Sequence, residues 1–142
     1  MKIMIDVNIV LDMIQKRHPH YQYSSTVLSE VLYQRIQGVL PGHGMTTIYY
    51  LVARHDTPQK ANESIDWLLA NFDIISTDNA LFQRARCLPF DDFEDAVVAV
   101  SAEVAACDYI VTRNVPDFKH SPIPAITPEK FVNTYVMRPN NN

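Results

Sequence analysis

The sequence predicts an α/β fold: a three-layer α/β/α sandwich around a parallel sheet of about five short strands. Two observations predict it. Short apolar runs alternate with helix-like segments from end to end of the chain. The runs are continuously apolar rather than alternating, as strands covered on both faces require. Size agrees, because 142 residues suit one domain with a proper core. That domain is expected over 1–137, with 138–142 as a frayed tail.

The elements follow in chain order. "KIMID" (2–6) is a buried strand. "VNIVLDMIQKR" places Ile9, Val10, Met13 and Ile14 at helical spacing. "YQYSSTVLSEVLYQRIQG" reads as a helix stopped by Gly38. "VLPGHG" holds a short strand and a break. "MTTIYYLVARH" and "PQKANESIDWLLAN" are two helices, the second opening near Pro58. "FDIIS" (72–76) is a strand, and "TDNALFQRARC" a helix that Thr77 or Asp78 can cap. "DDFEDAVVAVSAEVAAC" is a helix and "DYIVT" (108–112) a strand. "RNVPDFKHSPIP" is a loop broken by Pro116, Pro122 and Pro124. "AIT" is a last short strand. "PEKFVNTYVM" opens with proline at a first helical position behind a Thr127 cap.

Composition narrows the function classes. No stretch approaches the roughly 18–20 apolar residues of a membrane span. The opening "MKIMIDVN" is too short in its apolar run for a secretory signal, so a cytoplasmic protein without a membrane role is expected. Cys87 and Cys107 lack a CxxC spacing and read as reduced core thiols. The five histidines show no zinc-site spacing. A net charge of −4 argues against a strong non-specific grip on nucleic acid.

In parallel α/β sheets, ligands sit beyond the carboxyl ends of the strands. Asp6 ends the first strand. Thr112 ends "DYIVT", with Asn114 and Asp117 just after it. Asp6 and Asp117 are therefore expected close in space. "FDDFEDAVVAV" adds Asp91, Asp92, Glu94 and Asp95 at a helix mouth. Asp91 with Glu94 fits a capping box, and Asp92 suits the positive helix end. Asp95 instead shares a stripe with Ala99, Ala102 and Ala106, on the face that should be buried. A carboxylate there is costly unless compensated, and no cation stands nearby in sequence. Three converging acids, Asp6, Asp95 and Asp117, either raise their pKa values or admit a cation. Hard oxygen ligands suit Mg²⁺ or Mn²⁺, which serve phosphodiester cleavage. Asn8 either caps the helix after Asp6 or orients Asp6 or a metal water. Asp12 reads as an exposed partner of Lys16. Thr112 bonds a ligand water or merely ends its strand; Arg113 touches phosphate or faces solvent.

"IDVNIVLD" is similar to the opening "hhDTNhhhD" pattern of the PIN-domain family, the fold of VapC-type toxin ribonucleases (h, apolar). "FEDAVVAVSAEVAACDYIVTRNVPDF" is similar to that family's "DAxxAxxAxxxxxxxhhTxNxxDF". The resemblance implies a five-strand parallel sheet and Mg²⁺- or Mn²⁺-dependent cleavage of RNA. It also implies frequent homodimers and an antitoxin that plugs the site. Asp6 and Asp95 match family metal-binding acids, Asp117 the acid of the "DF" ending, and Asn114 and Thr112 the "TxN" turn. One departure matters. The family carries an acid, most often Glu, on the helix after the second strand, where this chain has Thr46 or Thr47. No carboxylate lies between Glu30 and Asp56, and Glu30 is a poor substitute. Thr47 is then left to position a water.

The leading expectation is a metal-dependent ribonuclease, drawing RNA through bound cations and some of Lys16, Arg17, Arg54 and Arg113. A PIN-like module that binds RNA or protein without cutting is the alternative that the missing acid motivates. An aspartyl-phosphate phosphatase is disfavoured, because no lysine ends a strand and "FDDFED" opens a helix.

Overall fold

The computed structural model describes residues 1–137, so the expected frayed tail, 138–142, lies outside the described residues. Five strands form one sheet: β1 (Lys2–Ile5), β2 (Gln37–Pro41), β3 (Asp73–Ile75), β4 (Tyr109–Val111) and β5 (Ala125–Ile126). Their order is β3-β2-β1-β4-β5, and every pairing is parallel. The chain builds outward from β1 to β3, then crosses to the other side of β1 for β4 and β5. That reversal opens a crevice between β1 and β4 at their carboxyl ends, the usual ligand position in open α/β sheets.

Successive β1 side chains point to opposite faces, which splits the core in two. Ile3 and Ile5 enter the larger core. It also takes residues of α1 (Val7–Ile14), α2 (Tyr21–Leu32), α3 (Gly42–His55), α4 (Pro58–Asn71) and α7 (Pro128–Phe131). Met4 enters the opposite core, with Val39, Ile110, Ala99 and Ala102. That face is covered by α6 (Phe93–Val104), on which α5 (Asn79–Arg86) packs. Ala99 and Ala102 are both fully buried. Their small side chains let α6 lie close over β1, β2 and β4. Among the described residues, no helix is long and apolar enough to cross a membrane.

Several boundaries differ from expectation for physical reasons. Gly38 does not stop a helix: α2 ends at Leu32, Gln34 takes φ 58°, and Gly38 lies inside β2. A Cβ on Gly38 would stand 2.8 Å from both Phe72 and Val31, so close packing explains the glycine. The helix expected from Met45 begins at Gly42, directly after Pro41. The predicted caps Asp78 and Thr127 do accept backbone N–H bonds, from Leu81 and Lys130. Of the two thiols, Cys107 is buried but Cys87 is exposed, because α5 ends just before it.

Phe131 is the largest fully buried side chain and closes the larger core beneath α2. Phe131→Ala is expected to cost about 3–5 kcal/mol, read as a lower urea midpoint with an unchanged slope. A loss below about 1 kcal/mol would mean that this end of the core is dispensable.

Candidate metal centre

β1 ends at Ile5, and Asp6 makes the turn into α1 with extended backbone (φ −65°, ψ 141°). Its N–H donates to Val111 O at 3.1 Å, carrying the β1–β4 pairing one residue past the strand. Its carboxylate accepts a long bond, 3.4 Å, from the Asn8 N–H. Asp6, not Asn8, is therefore the cap of α1. The other oxygen, Oδ2, accepts from Thr112 Oγ1 at 2.8 Å. Thr112 is fully buried, and its hydroxyl accepts in turn from the Asn114 N–H at 3.1 Å. One hydroxyl thus fastens the ends of β1 and β4 together across the crevice.

The loop after β4 turns at once into a 3₁₀ helix, Val115–Phe118. Pro116 sits at its start, and the Asp117 N–H bonds Asn114 O at 3.0 Å. Phe118 anchors the turn in the core, edge-on to Phe90 at 6.0 Å between ring centres. Asp117 is left exposed on the sheet edge. From the other side α6 presents its N-terminus. Its cap is Asp92, whose Oδ1 accepts from the Asp95 N–H at 3.0 Å; Asp91, the expected cap, lies one residue too early. The register follows from Asp95 standing three residues after Asp92, the N3 position of a capping interaction.

Asp95 carries the electrostatic signature of the site. Its pKa is pushed up to about 6, first by burial and then by the charges of Asp92, Asp117, Asp6 and Glu94. The fold therefore brings Asp6 and Asp117 each within electrostatic reach of Asp95. A cleft of about 440 Å³ opens beside them, lined by Asp91, Asp92, Asp95, Asp117, Lys119 and His120 among others. Among the described residues, no group of three or more His, Cys, Asp or Glu side chains stands close enough together to hold a metal ion. The carboxylates of this edge and the Thr112 hydroxyl are hard oxygen donors of the kind that suit a divalent cation, and the Lys119 and His120 side chains line the same cleft.

Other expected residues fall elsewhere. Thr46 is exposed and its hydroxyl donates to His43 O at 3.1 Å. Thr47 is half-buried, and no hydrogen bond ties it to Asp6, Asp95 or Asp117 among the described residues. Glu30 pairs with Arg35 at 2.8 Å, on the loop entering β2 and so at the opposite edge of the sheet. Asn8 Oδ1 accepts from Arg17 Nη1 at 3.4 Å. Asp12 is not an exposed partner of Lys16. It is completely buried, accepts from Ser24 Oγ at 3.0 Å, and lies 3.2 Å from Arg113 Nε. The reason is that Val7, Ile9, Val10 and Leu11 are all buried in α1, so position 12 has no solvent side. Arg113 is held by this pair rather than free in solvent.

His43, in the first turn of α3, is a neighbour that periodicity did not single out. Its Nε2 lies 3.8 Å from Glu94 Oε1, and both ring nitrogens are buried without hydrogen-bond partners. Burial lowers its pKa and Glu94 partly opposes that. The glycines on either side of it were the available signal. A Cβ on Gly44 would stand 2.7 Å from Val7, so α3 presses against the start of α1 here.

A family model described as PIN domain matches residues 2–116. None of the curated proteins compared matches the chain. Several solved structures share the fold. The VapBC2 complex from Rickettsia felis, bound to a promoter DNA fragment, contains a chain 20% identical with TM-score 0.69; the match covers 89% of this chain and 98% of that one. A toxin–antitoxin complex from Klebsiella pneumoniae gives 18% identity and TM-score 0.66, over 88% and 96% of the two chains. VapC20 of Mycobacterium tuberculosis, a Sarcin-Ricin loop cleaving toxin, gives 10% identity and TM-score 0.62, over 76% and 86%.

The raised Asp95 pKa has a stability consequence without metal. Between its ordinary 3.8 and about 6, the folded protein holds a proton that the unfolded chain has released. Stability from this group is therefore full below pH ~4 and falls as pH rises through ~6. In EDTA, Asp95→Asn is expected to be the more stable protein at pH 7.5, on the order of 1 kcal/mol after discounting for solvent screening. The difference should vanish at pH 4. Urea titrations at the two pH values check this, and an Asn variant weaker at pH 7.5 would contradict it.

Proposed function

The chain belongs to the PIN-domain family, and from that premise we propose that it is a metal-dependent ribonuclease, the toxin of a toxin–antitoxin pair. The observation that carries the reading is the raised Asp95 pKa, caused first by burial and then by the neighbouring acids Asp92, Asp117, Asp6 and Glu94. Acids so arranged repel one another, and a dication relieves that repulsion. Asp6, Asp95 and Asp117 are the proposed metal-holding and catalytic residues. Bound Mg²⁺ or Mn²⁺ would neutralise phosphate charge and make water a better nucleophile at phosphorus.

The chain's own groups do the positioning. Thr112 donates to Asp6 Oδ2 and so directs its remaining lone pairs toward the crevice. Asn8, whose N–H bonds the same carboxylate, and Asn114, whose N–H bonds Thr112, are assigned to substrate or water positioning, as is Thr47 more weakly. The reaction consumes one water: its oxygen forms a bond to phosphorus, the bond to the leaving ribose oxygen breaks, and that oxygen takes a proton. A 5′-phosphate product is proposed from the family resemblance. An antitoxin that covers the acidic edge belongs to the same reading, supported by the toxin–antitoxin complexes among the structural neighbours.

One observation favours a second reading, a PIN-like module that binds without cutting. α3 offers no carboxylate near the edge, only Thr46 and Thr47, so metal affinity rests on fewer charges.

Two measurements separate the readings. A mixed RNA pool incubated with Mn²⁺ or Mg²⁺ should be cut, and EDTA or Asp6→Asn should reduce the rate by at least about 100-fold. Cutting that survives both would have another source. Calorimetric titration of Mn²⁺ should show binding by wild type that Asp95→Asn weakens; no heat up to millimolar metal would favour the inert module.

A further inference from the structure

A second cleft opens at the same sheet edge, on the β5 side. It encloses about 350 Å³ and is lined by His20, Tyr23, Ser24, Arg113, Thr127 and Glu129, with two prolines. That volume lies within the roughly 300–1,000 Å³ of small-ligand sites. Its position is fixed by the strands. Arg113 directly follows Thr112, the residue bonded to Asp6, and Thr127 directly follows β5. The cleft therefore neighbours the acidic centre, and it holds one guanidinium, Arg113, with one carboxylate, Glu129, at its wall.

Arg113 is held in a particular way. Its Nε lies 3.2 Å from Asp12 Oδ2, and Asp12 is fully buried with Ser24 Oγ donating to it at 3.0 Å. Asp12 Oδ1 and Arg113 Nε are both buried and make no hydrogen bond. The Arg113 side chain is nevertheless 28% exposed. With Nε shut in, the exposed part includes the far end of the guanidinium, whose terminal nitrogens make no hydrogen bond among the described residues. A guanidinium held by its Nε offers a fork of donors at little further entropy cost. Beside it stand two half-buried aromatic rings, Tyr23 and His20. A cation beside aromatic rings is the combination that grips single-stranded nucleic acid, charge for the phosphate and a ring face for the base.

We infer that this cleft is a nucleotide subsite: Arg113 takes a phosphate of single-stranded RNA next to the scissile one, and Tyr23 with His20 takes the attached base. The inference rests on the ribonuclease reading for its substrate, not for its geometry. Asp12 is a positioning residue that keeps the guanidinium aimed. Glu129 at the rim accepts hydrogen bonds from a base edge. Net charge is −4, so the subsite answers how an acidic protein grips RNA: a single fastened cation beside the metal site, not a basic surface.

The test separates binding from cutting. Asp6→Asn protein in EDTA is titrated with a mixed-sequence hexaribonucleotide, with AMP and UMP, and with inorganic phosphate, and amide shifts are followed by NMR. Shifts are expected at Tyr23, Ser24, Arg113 and Thr127 for the hexamer and the monophosphates. Inorganic phosphate should move Arg113 and leave Tyr23 in place. Tyr23→Ala, which lies outside the ion pair, should weaken hexamer binding about tenfold. In a Mn²⁺ cleavage assay on the otherwise native protein it should raise KM similarly, with kcat within about twofold. Arg113→Gln strands a buried Asp12, so the Asp12→Asn/Arg113→Gln double variant is measured beside it and should lose the same affinity. Unchanged hexamer affinity in Tyr23→Ala and in the double variant overturns the subsite. So does binding of an oligoglutamate peptide in place of the hexamer, which would make the cleft a protein-docking site. Mapped hexamer binding without any Mn²⁺-dependent cutting would instead remove the nuclease reading and leave the subsite standing.

Discussion

The structure turns on one hydrogen bond, Thr112 Oγ1 to Asp6 Oδ2 at 2.8 Å. It lies at the point where the chain reverses its direction of sheet building, between the central strand and the first strand on its far side. Because β1 and β4 run parallel in the register Ile3↔Tyr109 to Ile5↔Val111, their next residues must meet. Asp6 and Thr112 are those residues. Replace Thr112 with an apolar residue and the strands would still pair, but the Asp6 carboxylate would lose its orientation. The sheet supplies proximity; the hydroxyl supplies direction.

That geometry sets the fold against its own electrostatics. Asp95, half-buried over the small-residue face of α6, sits among the charges of Asp92, Asp117, Asp6 and Glu94. Nothing in local packing asks for acids there. Ala96, Ala99 and Ala102 already bury the inner side of the helix. Asp92 alone satisfies the cap. The surplus negative charge is tolerated because the two cores beneath it are dense: Ile3 and Ile5 are wholly inaccessible against one layer of helices and Met4 against the other. A well-packed scaffold can hold unfavourable charge of this kind at its surface.

How much of this was legible in the sequence differs from residue to residue. Asp6, Asp95 and Asp117 could be placed because each stands at a boundary that periodicity marks: a strand end, a helix mouth, a proline-broken loop. Asp12 could not. Spacing rules look along one helix, whereas its partners Ser24 and Arg113 arrive from α2 and from the loop after β4. Gly38 was misread for a similar reason. The side chains of Phe72 and Val31 that exclude a Cβ there belong to other elements. The cap of α6 was missed by a single position, since Asp91 and Asp92 are chemically alike and only backbone angles decide between them. His43 carried no periodic mark at all. Local order was readable wherever the neighbours were local.

The central position of β1 has a consequence for synthesis. β1 is flanked on both sides in the finished sheet, and its second neighbour, β4, begins only at Tyr109. A growing chain can stack β1, β2 and β3 with their helices early. It has no complete acidic edge until Asp117 has been added, and with translation at about 5–20 residues per second most of the chain exists before that happens. The acidic edge is therefore completed only after β4 and the turn that follows it have joined the sheet.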